Sequence, residues 1–369
     1  MVQYNLNEFL PYLRRHGRTR LDKKAGALFF NWSDSGFTVR FSGTTLRAKV
    51  HSIGARDFMD PNKIEYANIG VVAQDGQSLV SRVECRAEEE WYTIWQAEQP
   101  GEYTVRVVKL SENARGKTGL VALETDGALL EPLPEEKKLR VEIIGDSITC
   151  GYGIESANAD APFLTREENG WIAYGCLAAR ELNVELSQVC VSGIAVSGGL
   201  HNRVFPGYHP MEEAYQYTDQ YYDSMAENEP ERWDFAAHPS DVVLINLGTN
   251  DSNPMRFSPG LENALAEEEY FLGRYRAFIE QVRRLNGPDT MIFCTLGTMD
   301  YYLYNDIEKV VRAYQKETGD QNIDCFKYVA VNLMTEGFGS AMHPSAMTHR
   351  RMGRELVWHL QKWMKEREN

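Results

Sequence analysis

Four short segments of this 369-residue chain end in residues whose types together suit acyl transfer. They are Gly145-Asp146-Ser147-Ile148-Thr149, Ser192-Gly193, Gly248-Thr249-Asn250-Asp251 and His343-Pro344. A serine hydroxyl is too weakly acidic to act as a nucleophile unaided, and an imidazole within about 2.6–3.2 Å can take its proton as attack begins. The tetrahedral intermediate then needs fixed donors around its oxyanion, each worth about 3 kcal/mol. Backbone N–H groups of Ser147 and Gly193 and the side-chain amide of Asn250 are of that kind. Gly193 has no side chain to keep a substrate away. A helix starting after Ser147 would add its free N–H groups and its dipole. Taken singly, each segment has an ordinary reading. GDS suits a turn, Gly193 a strand end, Asn250-Asp251 a capping pair, and His343 a structural histidine. Their order and position together favour chemistry.

The elements that must position these residues are legible from residue 141 onward. Short apolar runs at 141–145, 186–193, 241–248, 290–297 and 327–333 read as strands buried on both faces, separated by segments of helical period. Phe271, Tyr275, Phe278, Val282 and Leu285 form one stripe, ended by Gly287-Pro288. Met352, Leu356, Leu360 and Trp363 form another. This predicts an α/β domain over 141–369, a parallel sheet covered on both faces. In such sheets ligands gather beyond the carboxyl ends of the strands, where all four segments fall. The first 130 residues instead alternate with period two: Phe37, Val39, Phe41; Leu46, Ala48, Val50; Tyr103, Val105, Val107. Asp75-Gly76, Asp126-Gly127 and Pro100-Gly101 read as turns. An all-β sandwich of jelly-roll type is expected over 1–130, joined by a Pro- and charge-rich linker at 131–140.

Composition bounds the function. The chain is 43% hydrophobic and 25% charged, as a folded protein is, with a net charge of −14 that disfavours nucleic acid and anionic membrane surfaces. No apolar run approaches the ~20 residues of a membrane span. The first twenty residues lack an apolar signal core with a small-residue cleavage site, so a cytoplasmic location is expected. Six cysteines occur without a CxxC pair and read as small core residues, and no metal or cofactor is expected. His201, His209 and His238 share the aromatic-rich stretch 200–238, but their irregular spacing favours local hydrogen bonds over a metal site. That stretch is too long for an idle loop and is read as an insertion walling a binding site.

GDSIT, the later glycine, GTND and the C-terminal His-Pro resemble the four blocks of the SGNH (GDSL-type) hydrolases. With the all-β region in front, the chain resembles carbohydrate esterase family 2 from about residue 20 to 360. The resemblance implies a flavodoxin-like three-layer catalytic domain behind a jelly-roll, and removal of O-acetyl groups from hexoses or xylan-type oligosaccharides. It implies Ser147 as nucleophile, His343 as base, and Ser147, Gly193 and Asn250 as the oxyanion hole. Asp146, Tyr215 (four residues after Met211) and Met299 are expected around the substrate, with Trp233, Tyr221 and Tyr222 in reserve; packing of Tyr215 within the insertion's own small core and of Met299 in the domain core are equal readings. One departure matters. The family usually carries Asp three residues before the histidine, whereas here the run is Gly339-Ser340-Ala341-Met342-His343. Three possibilities follow: a backbone carbonyl orients the imidazole, giving a dyad; Ser340 or a distant carboxylate such as Glu336 substitutes; or activity is impaired. The dyad is the favoured expectation. Two other readings stay open: an esterase of lipid, thioester or peptide substrates, and a non-catalytic sugar-binding protein with a degenerate hydrolase domain. Oligomeric state is not legible.

Overall fold

A computed structural model describes residues 1–56, 62–73, 75–86, 88–134, 138–197, 209–257 and 260–368. The chain divides into two compact units, Met1–Lys137 with Phe163–Trp171, and Lys138–Pro162 with Ile172–Asn369.

The first unit is antiparallel β. Its ten-stranded sheet comprises β1 (Val2–Asn5), β2 (Leu13–His16), β3 (Arg20–Asp22), β4 (Ala27–Phe29), β5 (Gly36–Ile53), β6 (Asn68–Val72), β7 (Leu79–Glu84), β8 (Glu88–Lys109), β9 (Lys117–Thr125) and β10 (Ala128–Leu130). The order is β3-β4-β9-β5-β8-β6-β7, with β1 on β9 and with β2 and β10 on β5. The first half of β5 pairs with β2 and β10 and its second half with β9, so one long strand serves two stretches of sheet. The period-two residues behave as expected: Phe37, Val39, Phe41, Leu46, Ala48, Val50, Val105 and Val107 all point into one core. Pro100-Gly101 is a correction. It does not end a strand but lies inside β8, where the pairing with β5 slips between Gln96 and Gly101. A β-bulge tolerates the proline's missing N–H. The segment 163–171 is tied to this unit, with Asn68 Nδ2 donating to Thr165 O, Gly170 N to Leu110 O, and Glu112 N to Glu168 Oε2.

The second unit is the expected α/β domain. Its parallel sheet runs β12 (Glu185–Cys190), β11 (Arg140–Gly145), β13 (Val242–Asn246), β14 (Met291–Leu296), β15 (Ile323–Lys327). From β11 the chain goes to one neighbour, β12, and then to the other, β13. The carboxyl end of β11 is therefore the topological switch point, where an open sheet leaves a crevice. Residues 146–147 follow directly. The helices include α1 (Ser147–Cys150), α2 (Tyr174–Leu182), α3 (Thr249–Phe257), α4 (Leu261–Asn286), α5 (Tyr304–Thr318) and α6 (Ala346–Glu368), with two short ones at Met211–Ala214 and Gln220–Met225. The α4 stripe is buried at Phe271, Tyr275, Phe278 and Val282, and α6 buries Met352, Leu356 and Leu360. The last strand is a second correction: it is Ile323–Lys327, not 327–333. Ile323, Cys325 and Phe326 are buried, whereas Val329, Leu333 and Met334 stand in solvent. Asp324 interrupts the true strand's apolar pattern, while the loop after it mimics one. All six cysteines are free and buried. Among the described residues no helix is long and apolar enough to cross a membrane.

Candidate active site

Ser147 opens α1, a single helical turn, and is 8% exposed. Asp146 precedes it in an extended conformation and accepts the Ile148 N–H at 3.0 Å. This satisfies one of the free donors of the turn. Four residues carry little macrodipole, so the dipole contribution expected from the sequence reduces to single N–H groups. Ser147 Oγ lies 2.8 Å from His343 Nε2, across 196 residues of chain. His343 Nδ1 lies 3.0 Å from the carbonyl oxygen of Ala341. A carbonyl only accepts, so Nδ1 carries the proton and Nε2 is left to accept from the serine hydroxyl. That is the tautomer a general base requires.

The carbonyl is aimed by an unusual backbone. Ala341 (φ 51°) and Met342 (φ 60°) both occupy the left-handed region, which non-glycine residues adopt at a cost. Short bonds hold the loop in place. His343 N donates to Ser340 O at 3.1 Å, Gly339 N to His343 O at 2.8 Å, and Ser340 N to Gly153 O at 3.3 Å. Ser340 is buried and its hydroxyl has no partner among the described residues, so it does not orient the imidazole. Nor does Glu336, which pairs with Arg351 at 2.5 Å and turns its other oxygen to Thr348. Tyr152 lies beside the imidazole, ring centroids 4.4 Å apart and tilted by 36°. It was missed in the sequence, where its one signal is an aromatic residue between Gly151 and Gly153, both at positive φ. The imidazole six residues on, His349, is buried and accepts the Tyr174 N–H at 3.2 Å. Burial first, and the nearby His343 second, hold it down at about 3, so it stays neutral.

Of the expected oxyanion donors, Gly193 lies in the turn after β12, and Asn250 bonds to that same turn. Gly193 has φ +78°, and a Cβ there would meet nothing within 4 Å, so glycine is needed for backbone conformation and the surface above it is open. Among the described residues neither the Ser147 nor the Gly193 N–H is taken by a backbone carbonyl. Asn250, in the first turn of α3, donates through Nδ2 to Ile194 O at 2.9 Å and only distantly to Asp146 Oδ2 at 3.5 Å. Next to it, Asp251 accepts the Val196 N–H at 3.0 and 3.1 Å.

Of the substrate-side expectations, those for Asp146 and Tyr215 are corrected. Asp146 is 1% exposed and serves as a cap behind the serine. Tyr215 is fully buried, its hydroxyl donating to Glu142 Oε2 at 2.7 Å and receiving Asn286 Nδ2 at 2.8 Å, its ring against Phe235 and Phe278. Glu142 lies three residues before the end of β11, roughly 10 Å back at about 3.3 Å per residue, so Tyr215 buttresses the sheet. Met299 is half-buried against the edge of the α/β core, and its expected place beside the substrate is not contradicted. Tyr222 is buried, Tyr221 donates to His209 O, and Trp233 stacks on His238. His209 bonds to Glu213 and Ser224. His201 lies outside the described residues.

Burial pushes the carboxyls of Asp146 and Asp251 up to about 7, against backbone hydrogen bonds that pull them down; the charge of Asp146 adds to the rise at Asp251. The stability consequence has a definite sign. As pH rises from the unfolded value of 3.8 toward 7, the unfolded chain releases these protons before the folded one does, so stability falls. Asp251→Asn removes one such group. The melting temperature of the wild type relative to this variant is expected to drop between pH 4 and pH 7 and level off above, each kcal/mol counting for about 2–4 °C in a domain of this size. A difference independent of pH over this window would contradict the buried-acid assignment.

Comparison with known proteins places this geometry. Residues 141–356, more than half the chain, match the GDSL-like Lipase/Acylhydrolase family, and residues 15–134 match the Carbohydrate esterase 2 N-terminal family. The Cellulase/esterase CelE of Acetivibrio thermocellus is 29% identical over 339 residues, covering 88% of this chain but only 36% of CelE, so the chain spans about a third of that relative's length. An acetylxylan esterase / glucomannan deacetylase of Cellvibrio japonicus is 25% identical over 354 residues, 96% of this chain and 89% of that protein. Among solved structures, a family two carbohydrate esterase from Clostridium thermocellum in complex with cellohexaose superposes with a TM-score of 0.79 at 26% identity, over 96% of this chain and 99% of that one. The acetyl xylan esterase Est2A from Butyrivibrio proteoclasticus has a TM-score of 0.83 at 19% identity, over 99% of this chain and 100% of that one, a likeness of fold alone. With a switch-point serine bonded to a distant histidine and these matches over both units, the chain belongs to the GDSL-like lipase/acylhydrolase family, with a carbohydrate esterase 2 N-terminal domain in front.

Proposed function

We propose that this protein is a serine esterase that removes O-acetyl groups from carbohydrates, with a Ser147–His343 dyad. One observation carries the reading: the hydroxyl of Ser147 is 2.8 Å from an imidazole whose far nitrogen is held by the Ala341 carbonyl. In the proposed cycle Ser147 Oγ attacks the acetyl carbonyl while its proton passes to His343 Nε2. The oxyanion is met by the N–H groups of Ser147 and Gly193 and by the second N–H of Asn250, which Asp146 engages only weakly. The imidazolium then protonates the departing sugar oxygen, leaving acetyl-Ser147. Water attacks this ester, its proton going to His343, and acetate leaves with Ser147 reprotonated. The positive charge that appears on His343 is supported by the Ala341 carbonyl and the ring of Tyr152 in place of a carboxylate.

The sugar and acetyl assignments draw support from the relatives' names, a cellulase/esterase and an acetylxylan esterase / glucomannan deacetylase. One observation favours a second reading, an esterase of longer acyl chains: Leu333, Met334 and Met342, on the loop that leads to His343, are exposed apolar side chains. An acyl-chain series on one aryl alcohol separates the two, alongside acetate release from acetylated mono- and oligosaccharides. The acetyl ester is expected to exceed the hexanoyl ester by about tenfold or more in kcat/KM, the discrimination a small pocket gives against extra methylenes. A preference for chains longer than butyryl would overturn the acetyl assignment.

A further inference from the structure

We propose that Asp251, the last residue of GTND, is a positioning residue for the oxyanion donors: its carboxylate grips the turn at 191–197 and so holds the Gly193 N–H and the Asn250 amide toward one point. The inference rests on the esterase reading above. Its basis is how two consecutive residues of α3 take hold of one turn. Asn250 Nδ2 donates to Ile194 O at 2.9 Å, and Asp251 accepts from Val196 N at 3.0 and 3.1 Å and also from Ser197 N. The grip therefore falls one, three and four residues after Gly193. The turn's own bonds to its surroundings lie at its two ends: Val191 N reaches Gly145 O at 3.4 Å, and Ala195 O and Val196 O receive Met211 N and Glu212 N at 3.0 Å each. Between these ends Gly193, at φ +78° with open space around it, is spanned by one bond internal to the turn, from Ile194 N to Val191 O at 3.2 Å, which shapes the turn but does not tie it to α3.

Helix capping does not explain this residue. Asp251 lies inside α3, and its oxygens point to a different segment. A buried carboxylate is costly to desolvate, and Asp251, 7% exposed, shows no cationic partner among the described residues. Two acceptor oxygens on one side chain can hold two successive N–H groups. Asparagine offers one acceptor and turns an amide toward the other donor. The far side of α3 is pinned independently, since Ser252 and Arg256 both bond to Asp300, four residues past the end of β14. The first turn of α3 thus stands as a fixed post, and Asp251 and Asn250 are its two attachments to the turn that carries Gly193.

The test is a double-mutant cycle on the full chain with an aryl acetate, measuring kcat, KM and melting temperature for wild type, Asp251→Ala, Asn250→Ala and the pair. Asp251→Ala is expected to lower kcat by about 30- to 100-fold, approaching the loss of one oxyanion donor, with KM within about twofold. Asn250→Ala is expected to lower kcat by about 100-fold. Because both residues act through one oxyanion hole, the pair should lose no more than about threefold beyond the worse single variant. Losses that multiply, a loss confined to KM, or a kcat within about twofold of wild type for Asp251→Ala would each overturn the proposal. If Asp251→Ala does not fold, Asp251→Asn takes its place in the cycle, with a loss of about tenfold expected from the one acceptor it keeps. Ser147→Ala separates the two levels. Acetate release that does not depend on Ser147 sinks the esterase reading, whereas Ser147-dependent release indifferent to Asp251 sinks this inference alone.

Discussion

Ser147→Ala is expected to lower kcat for an aryl acetate by about 10⁴-fold or more, because the nucleophile itself is gone and only the donors and binding remain. His343→Ala should lose a comparable amount, and the pair little more than either alone, since serine and imidazole act as one unit. The fold should survive both. Among the described residues Ser147 Oγ bonds only to His343, loss of one oxygen atom leaves little cavity, and His343 is itself only half-buried. A fluorophosphonate probe should label the wild type at Ser147, label His343→Ala far more slowly, and leave Ser147→Ala unlabelled. Full labelling of His343→Ala would mean that the imidazole does not activate the serine, and the 2.8 Å contact would then be incidental.

Most of this site was legible because strand ends are legible. Gly145, Gly193 and Gly248 each end or follow an apolar strand, and a parallel sheet sends all such ends to one edge, whereas His343 comes sixteen residues after the last strand and was legible only as a His-Pro pair. The helical stripes of α4 and α6 were readable for the same reason: burial on one face leaves a period of 3.6. What escaped was whatever depends on tertiary context alone. Nothing in Ala341-Met342 announces a left-handed pair, because neither is glycine or asparagine; only the surrounding bonds impose it. The carbonyl that replaces the usual aspartate was therefore one option among three in the sequence and one hydrogen bond in the structure. Asp251 read as half of a capping pair because sequence distance hides its contact with Val196. Tyr215 read equally as a sugar platform and as a packing residue, since exposure cannot be judged inside an aromatic-rich insertion; the structure buries it. The last strand was misplaced for the converse reason, an apolar stretch at 329–334 that stays in solvent.

Gly339→Ala is the sharper test of how His343 is held, because it alters no group that touches substrate. Gly339 has an ordinary φ of −79°, so alanine meets no backbone strain there. What it meets is a neighbour: a Cβ on Gly339 would lie 2.2 Å from Gly153 O and 3.0 Å from Gly153 C. Those are backbone atoms, and Gly153 O is already engaged by Ser156 N at 3.0 Å and Ser340 N at 3.3 Å. The overlap can be relieved only by moving one segment away from the other. The 339–343 loop is the one to yield, since the 151–154 turn is anchored to Ser147 O through Tyr152 N at 3.1 Å. Yielding by about 1 Å breaks the serine–imidazole contact, a displacement that costs on the order of 100-fold in rate. The stability loss should be modest, about 1–3 kcal/mol for overpacking. Gly339→Ala should thus remain folded, with kcat/KM down by about 100-fold and fluorophosphonate labelling of Ser147 slowed in parallel. Activity within about threefold of wild type in a folded variant would show that the loop repacks without moving the imidazole, and that the close approach of Gly153 and Gly339 does not set the geometry of the dyad.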